Sequence, residues 1–197
     1  DGPKRVLGQE IPAGLGARDL DRVLEILVAH PQTARYVAWK LCRRFIADAP
    51  PEGAVQATAA AFARSGGDIP ATLRALLATP EFQAPAVRGE KFKRPFHFVV
   101  SALRATNAET DASKPLVDYL VRLGHAPFRY ATPDGYPEEA THWQSTLLWR
   151  WNFATALAAN RIKGTKIAAE ELRARLGGDE ALMATLLGRR PTAAERA

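Results

Sequence analysis

The feature that most constrains this sequence is the recurrence of apolar residues at helical spacing, with almost no segments that alternate like strands. In the first such segment these residues lie three and four positions apart: Leu20, Val23, Leu24, Leu27 and Val28. This spacing places them along one side of an amphipathic α-helix. The helix is predicted to end near His30 and Pro31, where proline suits the first turn of a second helix.

Further segments show the same pattern or have residues typical of helix ends. They cover about residues 31–45, 52–64, 69–79, 94–105, 114–123, 145–162, 166–176 and 180–187. Asp68 and Ser113 are typical N-terminal capping residues. The best strand signal, residues 5–8, has no partner strand in the sequence. The sequence therefore predicts an all-α fold, a compact bundle of about eight helices with one long ordered loop over about residues 125–143.

A length of 197 residues allows one hydrophobic core without disulfides or metal ions. We expect a helical core domain over residues 18–162, a lead-in over 1–17 and C-terminal helices over 163–197. The sequence opens without methionine or a signal-peptide pattern, and Thr192 and Glu195 have the spacing of a capping box. We therefore expect both ends to continue into a longer protein, with the last helix truncated. No apolar run approaches the roughly 18 residues of a transmembrane helix, so we expect no transmembrane segment.

Basic residues outnumber acidic residues by 27 to 21, which gives a formal net charge of +6. The cations are spread along the chain, and the densest clusters fall in residues 35–44 and 88–94. A nucleic-acid-binding protein would place such clusters beside stacking aromatic residues or within a recognisable module, and none is evident. We therefore expect no nucleic-acid partner, while an anionic polymer or a membrane surface stays open as an alternative partner.

The segment TPDGYPEEATHW, residues 132–143, breaks the helical pattern with two prolines, a glycine, three carboxylates, a histidine and two aromatic residues. Asp134 and Gly135 follow a proline, an order typical of a turn, because aspartate bonds nearby backbone and glycine allows positive φ. In a structural interpretation, Tyr136 and Trp143 anchor the loop on the bundle. The loop then sets the angle at which the next helix begins.

A functional interpretation keeps the same turn but directs Asp134, Glu138 and His142 into a cleft. Tyr136 and Trp143 would form its walls, since sugar sites often combine aromatic side chains with carboxylates. Two carboxyl groups at a suitable separation can hydrolyse a glycosidic bond. That separation depends on the fold, so the sequence leaves both interpretations open.

Arg150 and Asn152 lie in the segment LLWRWNFA and point about 200° apart on a helix. The aromatic residues around them predict that at least one is buried and needs a partner. A pairing of Arg150 with Asp134 or Glu138 would explain the acidic loop in structural terms.

Lys93 and Arg94 precede the proline at which another helix is predicted to begin. Cations at a helix N-terminus oppose the helix dipole, which predicts a neighbouring carboxylate, from Glu81 or the acidic loop, or a bound anion. His30 lies at a second predicted helix start. There it either bonds the backbone at a corner between two helices or assists in holding an anion.

Metal and cofactor sites find no support in the sequence. The histidines lack the spacing of zinc ligands: His30, His97, His125 and His142. A Ser/His/Asp triad lacks a nucleophile-elbow motif. We therefore predict neither a metal site nor a cofactor.

Four segments in order carry a family resemblance: HPQTARYVAWKLCRRF, GGDIPATLRALLATPEF, KFKRPFHFVVSALRA and LGHAPFRYATPDGYPEEATHWQSTLLWRWNFATALA. Over about residues 20–160 the chain resembles the C-terminal half of a large bacterial family, domain of unknown function 1800. The resemblance implies an exported, periplasmic or extracellular protein. It also implies two partners, the N-terminal half and a separately encoded exported protein. It supplies no established activity and therefore no catalytic residue.

The leading hypothesis is a non-catalytic helical module that serves binding or assembly in an exported bacterial protein. The alternative is a hydrolase of a polysaccharide or another anionic polymer, with residues 132–143 at its site. The candidate ligand-binding residues are Asp134, Tyr136, Glu138, His142, Trp143, Arg150, Lys93, Arg94 and His30. The hypotheses differ in whether the loop carboxylates and His142 converge on an open cleft or are held by neighbouring cations.

Overall fold

The computed structural model describes residues 2–196, and within them the chain is mainly α-helical, as predicted. The helices are α1 Arg18–Ala29, α2 Pro31–Phe45, α3 Glu52–Arg64, α4 Ile69–Leu77, α5 Pro80–Gln83, α6 Pro95–Ala105, α7 Lys114–Arg122, α8 Leu147–Ala158, α9 Ala169–Leu176, α10 Asp179–Leu187 and α11 Ala193–Arg196. Short 3₁₀ helices cover Pro85–Val87 and Ala140–Thr146. The strands are β1 Lys4–Val6, β2 Gln9–Ile11, β3 Glu109–Thr110 and β4 Thr165–Lys166.

The strand signal near the start of the chain belongs to a hairpin. β1 pairs antiparallel with β2, and between them Leu7 and Gly8 have φ values of 48° and 81°. Two successive positive φ values are typical of a two-residue hairpin turn. The expectation of an isolated strand is therefore wrong, because the partner strand is built from mostly polar residues that carry no strand pattern.

The chain divides into two units, one up to Lys91 and one from Phe92 onward. In the first unit α2, α3 and α4 pack together. Its core consists of Ala38, Cys42, Ile46, Ala54, Val55 and Leu76. Asp68 caps α4 as predicted, since its carboxylate accepts a hydrogen bond of 2.6 Å from the Ala71 N–H. The predicted core domain over residues 18–162 stays a prediction.

Helix α1 ends where predicted, but most of its apolar side is not buried. Leu20, Leu24, Leu27 and Val28 are 40–63% exposed. The residue of α1 that is buried is Ile26, at 3% exposure. Periodicity identified residues that share a side of the helix, but it did not identify how far the rest of the unit covers them.

In the second unit α6, α7 and α8 surround a larger core. Its buried members are Val99, Leu116, Leu120, Leu123, Phe153, Ala156, Leu157 and Ile162. Phe153 is fully buried, and the rings of Phe98 and Tyr119 meet its ring at edge-on angles. These contacts fix α8 against α6 and α7.

The long loop is present as predicted, with no helix over residues 125–139. The helical segment after the loop begins before residue 145, where it was predicted to begin, and it does not begin as α-helix. Its first turns, Ala140–Thr146, are 3₁₀ helix, and α8 begins at Leu147. None of the helices in the described part of the chain is both long enough and apolar enough to cross a membrane.

Candidate functional site

The turn at the tip of the acidic loop has the predicted glycine with positive φ, but its aspartate bonds a side chain where a backbone bond was predicted. The Thr132 hydroxyl donates a hydrogen bond to the Asp134 carboxylate. The Gly135 N–H donates to the Thr132 carbonyl at 3.3 Å, and Gly135 has a φ of 78°. Asp134 itself is exposed. Its carboxylate therefore lies on the surface, bonded within its own turn.

Two aromatic residues hold the loop together, although the structural interpretation predicted that they anchor it on the bundle. The Tyr136 hydroxyl donates a hydrogen bond of 2.7 Å to the Ala126 carbonyl. The indole N–H of Trp143, whose side chain is buried, donates to the Pro137 carbonyl at 3.1 Å. The Tyr136 hydroxyl and the Trp143 indole N–H thus both bond the backbone of the loop itself. These two hydrogen bonds hold residues 126–143 in a compact loop.

His125 joins this loop to helix α6. Its ring stacks on Trp143 at a centroid distance of 4.8 Å and lies 4.4 Å from the ring of Tyr136. Its Nδ1 accepts a hydrogen bond of 3.2 Å from the Phe96 N–H, in the first turn of α6. The residue that precedes α6, Arg94, makes no side-chain capping bond. His125 therefore supplies a cap that α6 lacks locally.

The protonation of His125 follows from this position. Burial, and secondarily the charges of Arg94 and His97, lower the pKa of His125 to about 4. At neutral pH the ring is uncharged, and Nδ1 is free of a proton and able to accept from Phe96. The lowered pKa keeps Nδ1 unprotonated, and this is the form that accepts the hydrogen bond from Phe96.

Sequence reasoning did not select His125 as a site residue. The helix α7 ends just before it, and Gly124 has a φ of 73°, which is typical of a helix C-terminus. The pattern Leu-Gly-His therefore locates the end of helix α7. It does not reveal the contact between His125 and Phe96, which are 29 residues apart in the sequence. No local signal marks such a partner.

Arg94 pairs with the acidic loop. One of its guanidinium nitrogens lies 3.8 Å from a carboxylate oxygen of Glu138, and both side chains are largely buried. The cation expected to need a neighbour at the start of α6 therefore has Glu138 beside it. This distance is at the long end for an ion pair, so we assign it a modest stabilising role.

Arg150 is buried, at 9% exposure, but it pairs with no carboxylate among residues 2–196. Its Nη2 donates a hydrogen bond of 2.8 Å to the Lys93 carbonyl, and its Nε donates to the Thr146 hydroxyl at 3.3 Å. The guanidinium also lies 4.5 Å from the centre of the Phe92 ring. Burial lowers the pKa of Arg150. The suggested pairing with Asp134 or Glu138 is therefore not found. The guanidinium instead bonds a backbone carbonyl and contacts aromatic rings.

The other predicted residues are more scattered. The Lys93 ammonium donates to the Ser101 hydroxyl at 3.2 Å. His142 has an exposed side chain. His30 belongs to the first unit, where its Nδ1 accepts a hydrogen bond of 3.2 Å from the Gln32 N–H and caps α2. Within residues 2–196, no group of three histidine, cysteine or carboxylate side chains is arranged to hold a metal ion.

Apart from Lys93 and His30, the structure sorts the predicted residues into three groups. Tyr136, Trp143, Arg94 and Glu138 take part in holding the loop, and Arg150 holds the segment before α6. Asp134 and His142 lie on the surface. The predicted site as a ligand-binding set stays a prediction.

A feature outside the predicted set is a groove beside α1, which we call the α1 groove. It has a volume of about 720 Å³ and is lined by Asp21, Leu24, Glu25, Val28, Ala29, Pro31, Ala34, Ala63 and Gly66. Apolar side chains form most of its lining, and its two charged groups are both acidic. Glu25 is bonded to Arg22 at 2.9 Å, one turn earlier on the same helix.

Comparison with known proteins places the chain in a family without assigning an activity. The model of the family described as Protein of unknown function (DUF1800) matches residues 1–197. No curated protein and no solved structure matches the chain. Because the family model covers every residue, this chain belongs to the DUF1800 family.

Proposed function

We propose that this chain is a non-catalytic helical binding module and that the α1 groove is its contact surface for another protein. The observation that carries the proposal is the exposure of Leu20, Leu24, Leu27 and Val28 along one side of α1. An apolar stripe on a helix normally faces a core. Contiguous apolar surface left exposed on a folded protein marks an interaction site.

The groove favours one kind of occupant, an amphipathic helix with a basic margin. Leu24 and Val28 are one turn apart and offer two apolar contacts, as helix-in-groove recognition requires. Asp21 and Glu25 lie in the same groove and complement lysine or arginine on the partner. The 12 residues of α1 extend about 18 Å, enough for about three turns of a second helix.

The family resemblance supplies two proteins from which such a helix can come. One is an N-terminal half of the same family and the other is a separately encoded exported protein. We place the interaction in the periplasm or outside the cell, because the resemblance is to exported proteins. Fractionation of cells that carry a tagged copy of the natural gene tests this location.

The direct test is a binding titration with each of the two proteins, produced separately. We expect saturable binding to at least one, and a loss of at least tenfold in affinity in the variants Leu24→Asp and Val28→Asp, which place a charge in the apolar contact. The matched control is Leu147→Asp, which charges an exposed leucine of α8. Circular dichroism establishes that each variant keeps its helices.

Three outcomes would overturn the proposal. The first is that neither protein binds. The second is that binding is unchanged in both α1 variants. The third is that sedimentation shows a dimer of this chain that the α1 variants abolish. The last result would make the groove a contact between two copies.

The alternative function, hydrolysis of a polysaccharide or another anionic polymer, has less support. Glu138 lies beside Arg94 and Trp143 is buried, so two of its proposed residues already hold the loop. Release of reducing ends from such a polymer by wild type but not by Asp134→Asn would favour hydrolysis over binding.

A further inference from the structure

The second unit contains an apolar cavity that neither the loop nor the α1 groove explains. Its volume is about 410 Å³, and it lies among α6, α8, α9 and α10. Its walls include Phe98, Leu157, Ile167, Leu172 and Leu182. Ligand sites in proteins typically have volumes of roughly 300–1,000 Å³ and mostly apolar walls with few polar groups.

Three residues with polar side chains line this cavity: Lys93, Ser101 and Thr106. The Thr106 hydroxyl donates to the Ala102 carbonyl at 2.8 Å within its own helix, so it is already bonded. The Lys93 ammonium donates to the Ser101 hydroxyl at 3.2 Å. Among residues 2–196 it pairs with no carboxylate. A single cation with a hydroxyl beside it is therefore the polar feature that can orient a ligand.

At the Lys93 end of the cavity the neighbouring charge is also positive. A neighbouring groove of about 570 Å³ shares Lys93, Ser101 and Leu186 with the cavity. That groove adds His97 and Arg104 to its lining and contains no carboxylate. An anion near Lys93 therefore meets a positive environment, while the cavity beside it accepts only apolar groups.

We propose that this cavity binds a single-chain fatty carboxylate, with its hydrocarbon chain inside and its carboxylate at Lys93. The apolar walls favour the chain, because each methylene removed from water tightens binding by up to about fourfold. The carboxylate gains a charge-assisted hydrogen bond from the ammonium. A sugar or a nucleotide would lose its hydrogen bonds to water in these walls without replacing them.

The experiment is a calorimetric titration of the whole chain with hexanoate, octanoate and decanoate, each below its micelle-forming concentration. We expect affinity to rise along the series, by up to about sixteenfold for each two methylenes. Decanol, which has the chain without the charge, should bind at least fivefold more weakly than decanoate.

Two pairs of variants test the two halves of the site. Lys93→Met keeps the length of the side chain without its charge, and we expect it to weaken decanoate about tenfold and to leave decanol unchanged. Its control is Lys114→Met, because Lys114 bonds Asp118 and does not line the cavity. Ala154→Phe fills the cavity and should abolish binding, whereas Ala174→Phe, on an exposed position of α9, should not.

The proposal fails if decanoate does not bind, if decanol binds as well as decanoate, or if Lys93→Met leaves the decanoate affinity unchanged. If Ala154→Phe does not fold, the chain-length series and Lys93→Met still decide the result. Leu24→Asp should leave decanoate binding unchanged, so this test and that of the α1 groove succeed or fail separately.

Discussion

Helices α1 and α8 both expose large apolar side chains, but they differ in what they bury. In α1 the residues on the exposed side form the regular stripe of an amphipathic helix, and Ile26 is buried. In α8 the exposed apolar residues also lie at helical spacing, but the buried side of the helix is apolar as well. Leu147, Leu148 and Trp151 are 61–70% exposed, whereas Arg150 is buried.

The difference teaches that burial in this chain follows specific partners more than sequence pattern. Arg150 is inside because Lys93, Thr146 and two aromatic rings receive it. The α1 stripe is outside although its pattern is the more regular of the two. A regular stripe without a cover is what a binding surface requires, and this is the basis of the proposed function.

The largest expected effect is within α1. Ile26→Ala should lower the free energy of unfolding by about 3 kcal/mol, because it removes buried methylenes from a packed site. Leu24→Ala should lower it by less than about 1 kcal/mol, because half of that side chain is already in water. Urea unfolding of the two variants measures the contrast. Equal losses of stability in the two variants would mean that Leu24 is packed like Ile26, which would contradict the description of α1 as a helix with an exposed apolar stripe.

The next effect concerns the buried cation of α8. Arg150→Ala should lower the free energy of unfolding by about 2 kcal/mol, since it leaves the Lys93 carbonyl without its donor. The matched control is Arg122→Ala. Arg122 also lies over an aromatic ring, at 4.6 Å from Trp149, but it is exposed, so its loss should be below about 1 kcal/mol. If both variants unfold alike, the burial of Arg150 has no special role.

His125 should make stability depend on pH. Its folded pKa of about 4 is below the ordinary 6.5, so the unfolded chain binds the proton more readily between these values. The stabilisation is complete above pH 6.5 and is lost as pH falls toward 4, by an amount on the order of 2 kcal/mol.

The variant His125→Phe isolates this contribution. It keeps a ring against Trp143 but removes the acceptor for the Phe96 N–H, so it should be about 1.5 kcal/mol less stable than wild type at pH 7. Because other groups titrate alike in both proteins, this difference should shrink or reverse at pH 4.5. Chemical unfolding at the two pH values measures it. A difference independent of pH would refute the assignment of a neutral His125.

The smallest expected effect is at the tip of the loop. Asp134→Ala should change the free energy of unfolding by less than about 0.5 kcal/mol, because Asp134 is exposed and bonded within its own turn. Combined with Arg150→Ala it should be additive, since no contact joins the two side chains. A coupling above about 1 kcal/mol would restore the pairing suggested by the sequence.

The sequence predicts most helix boundaries because the signals at helix ends are local. Helix α3 spans Glu52–Arg64 as predicted, and Asp68 caps α4 as expected. A structural role of Tyr136 and Trp143 in the loop was also accessible, since turn chemistry and aromatic residues adjoin each other in the sequence. These features depend on neighbours a few residues away.

The features that were missed depend on distant partners. The acceptor of the Arg150 hydrogen bond is a backbone carbonyl 57 residues away, and a carbonyl has no signature in the sequence. Val28 and Leu24 show the period of a helix, but a period cannot identify what covers the helix. The grouping of the loop carboxylates into a ligand site also depends on distant contacts, and it stays a prediction.

The cap that His125 provides for α6 has a consequence for how the chain is made. A ribosome adds roughly 5–20 residues per second, so the 29 residues from Phe96 to His125 take about 1.5 to 6 seconds. During that interval Pro95–Ala105 exists without its cap, and a short helix is marginal in water until tertiary contacts form. Helix α6 therefore receives its cap only after α7 and the residue that follows Gly124 have been synthesised.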